Sequence, residues 1–451
     1  MVYILSLIIT CIICSLYVSG QKYLALVGLF LSATSVLELN ANVVGLDYLM
    51  MGIIGNNAFF FSISFLLIRQ FKKNNIVFWK GYNALERFAI VIFIYAGIIA
   101  VFTWISGKES LFNLIALMKP YTILLTIFLF RDINYRLGER LVGTVFSLCT
   151  FVGIIALFQA PFNFYVFGHE IDSDSGGNLR FWSPYSIATF CLMLTVVLLR
   201  KKKYTYLLFF LVLVIMPMRR GLIISSSLTI ALYYLFLIRR HKLPKGIFAI
   251  IFAGLLAMPI LSARFSQDGD SASSDISNVL SGQVDYENFR TTGGGGTFLF
   301  RMSILFERID YLVQNPRYLL TGVGMLHEDT AQKEFSFFLG SYKTINGERI
   351  PQQIDTTDLV WPPILMRLGV IGLILYSLLF VYLLRFFKHN IYKTPWAMVG
   401  LTYVFNFLVF SFADAELNQY YSLFLYFVIY RLTEISANNK EKMSNRYSLQ
   451  Y

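Results

Sequence analysis

Four cysteines in 451 residues rule out a disulfide framework as the organising principle. Cys11, Cys14, Cys149 and Cys191 all fall inside apolar runs, where a thiol behaves as a small hydrophobe. Cys11 and Cys14 are three apart, but no second pair accompanies them, so they do not read as a zinc site. Histidine is as scarce, at four. No His, Cys and carboxylate set has metal-ligand spacing, so metal-independent chemistry without a cofactor is expected. Gly293 to Gly296 lacks the lysine and Ser/Thr that a phosphate loop requires. Charge is the largest shortage: 14% Asp, Glu, Lys and Arg against 57% hydrophobic residues. That balance excludes an ordinary soluble globule.

What remains is a succession of apolar runs. They lie near residues 2–18, 22–39, 48–69, 86–105, 112–130, 141–160, 182–199, 204–218, 220–238, 246–262, 360–386, 395–412 and 418–434, about thirteen spans by the usual length of roughly 17–25 residues. The expected fold is an all-α polytopic membrane protein. The first run has no basic start and a second run follows at once, so it reads as a span and not as a cleaved signal. The run at 204–218 is short and reads as a half-helix or tilted insertion.

The formal charge of +12 does not indicate nucleic acid. The bases cluster at span ends: Arg69, Lys72 and Lys73; Arg131, Arg136 and Arg140; Arg200 to Lys203; Arg239, Arg240, Lys242 and Lys245; Arg385 and Lys388; Lys440, Lys442 and Arg446. Basic clusters in every second connection set orientation, because basic loops stay cytoplasmic. The other connections then face outward, and an odd span count puts the N-terminus outside. The domains expected are spans over 1–262, one large external loop over 263–359, spans over 360–435 and a cytoplasmic tail over 436–451.

Arg219 and Arg220 break this pattern. They lie between two spans on the face that should carry little positive charge, where an unpaired cation is expensive. Arg180, just before the next span, is a further outward cation, in a segment (161–181) that also holds His169, Glu170, Asp172 and Asp174. Lys119, beside Pro120 in the outer half of a span, calls for a cavity, a carboxylate or a route to the interface. An anionic ligand at the outer face satisfies all of them.

Loops as long as 263–359 are usually functional. Residues 266–296 are rich in Ser, Asp and Gly, and Asp268-Gly269-Asp270 reads as solvated linker, since no flanking strand supports a metal-binding acid pair. From Thr297 to Gln314, Phe298, Met302, Leu305, Ile309 and Leu312 recur at helical spacing. The spacing predicts an amphipathic helix near 297–314 on the outer leaflet, with Arg301 and Arg308 along its apolar edge, facing ligand or lipid headgroups. Asn315-Pro316 ends it, and Gly322-Val323-Gly324 gives a tight turn. Asp355 and Asp358 return the chain to the membrane, as candidate proton acceptors or as interfacial acids and a helix cap.

In order, these residues resemble the O-antigen polymerase and O-antigen ligase superfamily of bacterial glycan assembly proteins. Leu179 to Tyr185 is similar to the family's Arg-then-Pro entry to a span. Arg219-Arg220-Gly221 is similar to its Ser-Arg-Gly signature, with Arg219 in place of serine. Arg301, Asn315-Pro316 and Gly322-Val323-Gly324 follow its Arg, Asn-Pro, Gly-x-Gly order. Asp358, with Gly369 to Gly372, resembles its loop end and next span. The resemblance covers roughly 150–385. It implies a GT-C-like glycosyltransferase in the bacterial inner membrane, with the large loop periplasmic. The reaction implied passes a glycan from one undecaprenyl-diphosphate carrier to the non-reducing end of another lipid-linked repeat unit. Membrane lipid is a partner, a chain-length regulator protein is a further expected one, and nucleic acid is not. Catalytic roles fall to Arg220, Arg301 and Asp358, and diphosphate or glycan binding to Arg180, Arg219, Lys119, Asp355 and Arg308. Where the family often has His-Asn, this chain has Asp358-Leu359. That departure favours a polymerase over a ligase joining glycan to a lipid core, and His327 reads as a surface residue. A flippase or other transporter is the main reading from another class, but the chain halves show no internal repeat. A cell-wall glycan polymerase is weaker, since its motifs are missing.

Overall fold

The computed structural model describes residues 2–34, 48–73, 83–131, 133–162, 165–168, 172–173, 179–198, 203–238, 298–340, 342–345, 348–356, 359–415, 417 and 419–448. Helices dominate: α1 (Val2–Val18), α2 (Lys22–Ala33), α3 (Tyr48–Lys73), α4 (Ala84–Ile105), α5 (Leu111–Thr122), α6 (Tyr135–Phe162), α7 (Tyr185–Leu198), α8 (Lys203–Ile215) and α9 (Arg220–Ile238). After the long connection come α10 (Phe298–Gln314), α11 (Pro316–Leu319), α12 (Glu328–Glu334), α13 (Trp361–Asn390), α14 (Pro395–Phe410) and α15 (Tyr420–Ser448). Among the described residues, two small antiparallel hairpins interrupt them. In one, β1 (Asp172–Ser173) pairs with β2 (Leu179–Arg180). In the other, β3 (Tyr342–Ile345) pairs with β4 (Glu348–Pro351) in the register Tyr342 to Pro351.

Among the described residues, five helical segments are long and apolar enough to cross a membrane: Ile53–Gln70, Ala84–Ile105, Leu111–Phe130, Tyr135–Gln159 and Trp361–Asn390. Six further apolar helices are shorter, between 10 and 17 residues. At 1.5 Å per residue, a 12-residue helix such as α2 reaches about 18 Å, well under the ~30 Å of a hydrocarbon core. The expected span at 246–262 lies outside the described residues. The long helices turn apolar side chains outward in helical steps: Ile94, Ile98, Val101 and Ile105 on α4; Phe151, Ile154, Phe158 and Phe162 on α6; Ile371, Ile374, Leu378 and Val381 on α13. Apolar surface of that extent is stable against lipid and not against water.

Local chemistry sets the ends. Asn83 caps α4 in a reciprocal box: its side chain accepts from Glu86 N at 2.8 Å, and Glu86 accepts from Asn83 N at 3.0 Å. Pro120 interrupts α5, and the span continues as a 3₁₀ helix over Ile123–Phe130, every residue of it buried. In the bundle α1 packs on α2 and α3, α4 on α13, α7 on α8, and α14 on α7, α9, α13 and α15.

Hydrogen bonds sort the connections into two ends. At one, Arg131 forks onto Glu86 at 2.6 and 2.8 Å, and Arg431 donates to Arg131 O at 2.8 Å. Tyr17 reaches Gln70 and Trp396 reaches Tyr135 at the same end. At the other, Phe181 N donates to Met216 O, Trp361 Nε1 to Ser411 Oγ, and Met325 N to Thr103 Oγ1. The first end holds the basic connections around Arg69 and Arg131. The second holds Arg219 and the segments flanking the long connection.

Candidate functional site

The segment after α10 is wedged into a break in a membrane helix. Asn315-Pro316 closes α10 and opens α11. Gly322 and Gly324 follow at φ +76° and +105°, and Gly369 inside α13 at φ +66°. Val323 N donates to Met366 O at 2.8 Å, and Ile371 N to Leu320 O at 3.2 Å. The helix bonds lost at the Gly369 break are thus partly replaced from outside the helix. Tyr95 of α4 also donates to Leu368 O at 2.9 Å.

Buried carboxylates hold this segment from three sides. Glu328 accepts from the backbone N–H of Ile354 at 3.0 Å and Asp355 at 2.8 Å, and from Gln353 N. Glu307 accepts from Phe338 N at 2.7 Å and Leu339 N at 3.2 Å, yet burial outweighs these bonds and Arg308 and pushes its carboxyl above the ordinary range. Glu109, in the turn between α4 and α5, accepts from His327 N at 2.8 Å and Asn113 at 2.7 Å. Burial pushes Glu109 up, but these bonds, His327 N–H foremost, outweigh it and hold the group below its ordinary 4.5. A carboxyl lowered in the folded state stabilises above its unfolded value, and that stabilisation disappears as pH falls through the folded one. In thermal melts between pH 6 and pH 3, wild type should therefore lose its advantage over Glu109→Gln on the acid side. Parallel curves would remove Glu109 as a pH-dependent anchor.

The described site residues have different surroundings. Arg308 is sealed from solvent. Its guanidinium pairs with Glu307, donates to Gln352 O and Gln353 O at 3.3 and 3.2 Å, and lies 4.4 Å from the centre of the Phe337 ring. Desolvation drops it to about 10, against the pull of Glu307 and Glu328. It is an internal tie between α10 and residues 352–353, and faces neither ligand nor lipid headgroup. Asp355 gives both oxygens to Arg367, at 2.7 and 2.9 Å. Arg367 also donates from Nε and Nη2 to Leu326 O at 3.2 and 3.1 Å. Arg219 pairs with Asp414 and lies 4.5 Å over the Tyr185 ring. Met218 before it is held at φ +53°, a conformation uncommon outside glycine. Arg180 and Arg220 are described in backbone only, in β2 and at the start of α9. Asp358 lies outside the described residues, as do His169, Glu170, Asp174 and 266–296. His327 is a half-exposed N-cap of α12.

A cavity of about 400 Å³ lies between α10 and α13. Leu305, Ile309 and Leu312 line it from α10, Leu365, Val370 and Leu373 from α13, with Trp361 and Phe412 beside them and Ser377 as its polar group. Arg301 is half-buried and stands four residues before Leu305, so it heads the helical stripe that lines the cavity. Phe412 is two residues from Asp414, the partner of Arg219. Asp414, Arg367 and Glu109 escape sequence reasoning. Their partners lie 195, 12 and 218 residues away, and only the unexplained charge inside the span at Arg367 leaves a trace.

Neither known protein-family models nor curated proteins give a match to this chain.

Proposed function

We propose that the chain is a bacterial surface-polysaccharide (O-antigen) polymerase of the inner membrane. It is a glycosyltransferase of GT-C-like architecture with about thirteen spans and a periplasmic loop. The observation that carries this reading is the apolar cavity between α10 and α13, with Arg301 one helical turn before Leu305 of its wall and its lining residue Phe412 two residues from Asp414, the partner of Arg219. A lipid-linked diphosphate has the same two-part chemistry: an apolar chain and an anionic head. Guanidinium forks match its oxygens and stay charged in a dry setting.

In the reaction, the bond between sugar C1 and phosphate oxygen breaks and negative charge builds on the departing diphosphate. Arg219, Arg220 and Arg301, with Arg180, stabilise that charge as preorganised cations. The non-reducing-end hydroxyl of the second repeat unit closes the new glycosidic bond and gives up its proton. Asp355 already binds Arg367 through both oxygens, so the proton-accepting role passes to Asp358.

Purified protein in detergent, given only undecaprenyl-diphosphate-linked repeat units, should make longer lipid-linked chains without nucleotide, added metal or a membrane gradient. Repeat units of unchanged length would leave a flippase. Elongation that waits for a lipid-core acceptor would leave a ligase. Arg301→Lys keeps the charge and loses the fork, and elongation should drop about a hundredfold. Wild-type elongation by that variant would make Arg301 a headgroup anchor.

A further inference from the structure

Lys119 presents a charge that no carboxylate among the described residues cancels. It sits inside the Leu111–Phe130 span. Its ammonium donates to Asn57 Oδ1 at 2.6 Å and lies 5.8 Å from the centre of the Phe60 ring. Among the described residues no carboxylate pairs with it, whereas Arg131, Arg219, Arg367 and Arg431 each have one: Glu86, Asp414, Asp355 and Glu434. An amide oxygen and an aromatic face offset part of a full charge in an apolar span, and no more. Among the described residues the site is short of one anion.

Its address differs from that of the arginines. Asn57 and Phe60 belong to α3, which packs on α1, α2 and the 3₁₀ segment. Arg219 stacks on α7 and pairs beyond the end of α14, and α10, with Arg301, packs on α13. The approach to Lys119 is apolar. Ile115 stands four residues before Lys119 and Ile53 four before Asn57, each on the same helix face as its neighbour and each about half exposed, at 49% and 51%. An anion that arrives along that surface comes from the bilayer.

Transfer between two carriers requires two anionic heads held at once. Building on the polymerase reading, we propose that Lys119, Asn57 and Phe60 hold the phosphate head of a second lipid-linked carrier, apart from the one gripped by the arginines. Native mass spectrometry of the full chain in detergent with undecaprenyl diphosphate tests this. Wild type should bind two carriers, Lys119→Met one, and Lys119→Arg two, since it restores the charge. Arg219→Gln should also bind one, and the double variant none. One carrier on wild type, or two on correctly folded Lys119→Met, overturns the second site. Inorganic pyrophosphate at equal concentration should displace neither carrier, and displacement at Lys119 would assign the site to a free anion, against the proposal. The two readings fail separately. A wild type that elongates while Lys119→Met keeps two carriers removes this site alone. A wild type that never elongates removes the polymerase, whatever the stoichiometry.

Discussion

Asp355→Asn should be among the most destabilising single changes in the chain, although it removes one charge near the surface. Its partner explains why. Arg367 is 8% exposed, in the first turns of α13 ahead of the Gly369 break. Asp355 is its only ion-pair partner among the described residues. Removing one member of a buried pair leaves the other charge uncompensated, which typically costs about 3–5 kcal/mol. The Asp355 side chain is 39% exposed and partly screened, so about 3 kcal/mol is the appropriate figure. By per-residue unfolding entropy, that is a fall of roughly 3 °C in Tm for a chain of this length. Adding Arg367→Met should recover at least half of the loss, because the stranded charge disappears with it. A melt of Asp355→Asn at the wild-type temperature would show that the pair adds nothing. The comparison also bears on chemistry: the melt should drop for Asp355→Asn but not for Asp358→Asn, which should slow elongation while leaving carrier binding intact.

The parts of this protein that repeat along the chain are legible in its sequence, and the parts built across it are not. Phe298, Met302, Leu305, Ile309 and Leu312 announce a helix by their spacing, and α10 covers Phe298–Gln314. Gly322 and Gly324 announce a close approach, though not that its targets are the Met366–Arg367 backbone and the Thr103 side chain. Arg308 lies one heptad after Arg301, so periodicity places both on one edge. Periodicity does not say that Phe337, Gln352 and Gln353 close over the second arginine while the first stays half-buried. Arg219 is legible as a misplaced charge, because the alternation of basic connections puts it on the face that should carry few cations. Its counter-ion, Asp414, is not, since a contact across 195 residues leaves no local signature.

Gly369→Ala should remove function by freeing the segment 315–326 from the broken helix α13, with the helices themselves still formed. A Cβ at 369 would lie 2.3 Å from Leu320 O and 2.5 Å from Gly322 N. Both are backbone atoms and cannot swing aside as a side-chain tip can. The residue also sits at φ +66°, which adds about 1–2 kcal/mol of conformational penalty for any L side chain. The clash adds about 1–3 kcal/mol of overpacking, so the total approaches 4 kcal/mol, concentrated on one joint. Gly107→Ala is the control. It stands at φ +70° with nothing within 4 Å of its Cβ, so it carries the conformational penalty without the clash. If wedging of residues 320–326 into the α13 break is what places Arg301 over the cavity, Gly369→Ala should expose 320–327 to protease and abolish elongation, with helical circular dichroism unchanged. Gly107→Ala should do neither. Equal behaviour of the two variants would mean that backbone strain alone decides the outcome, and that the joint between the loop and the broken helix does not position the arginine.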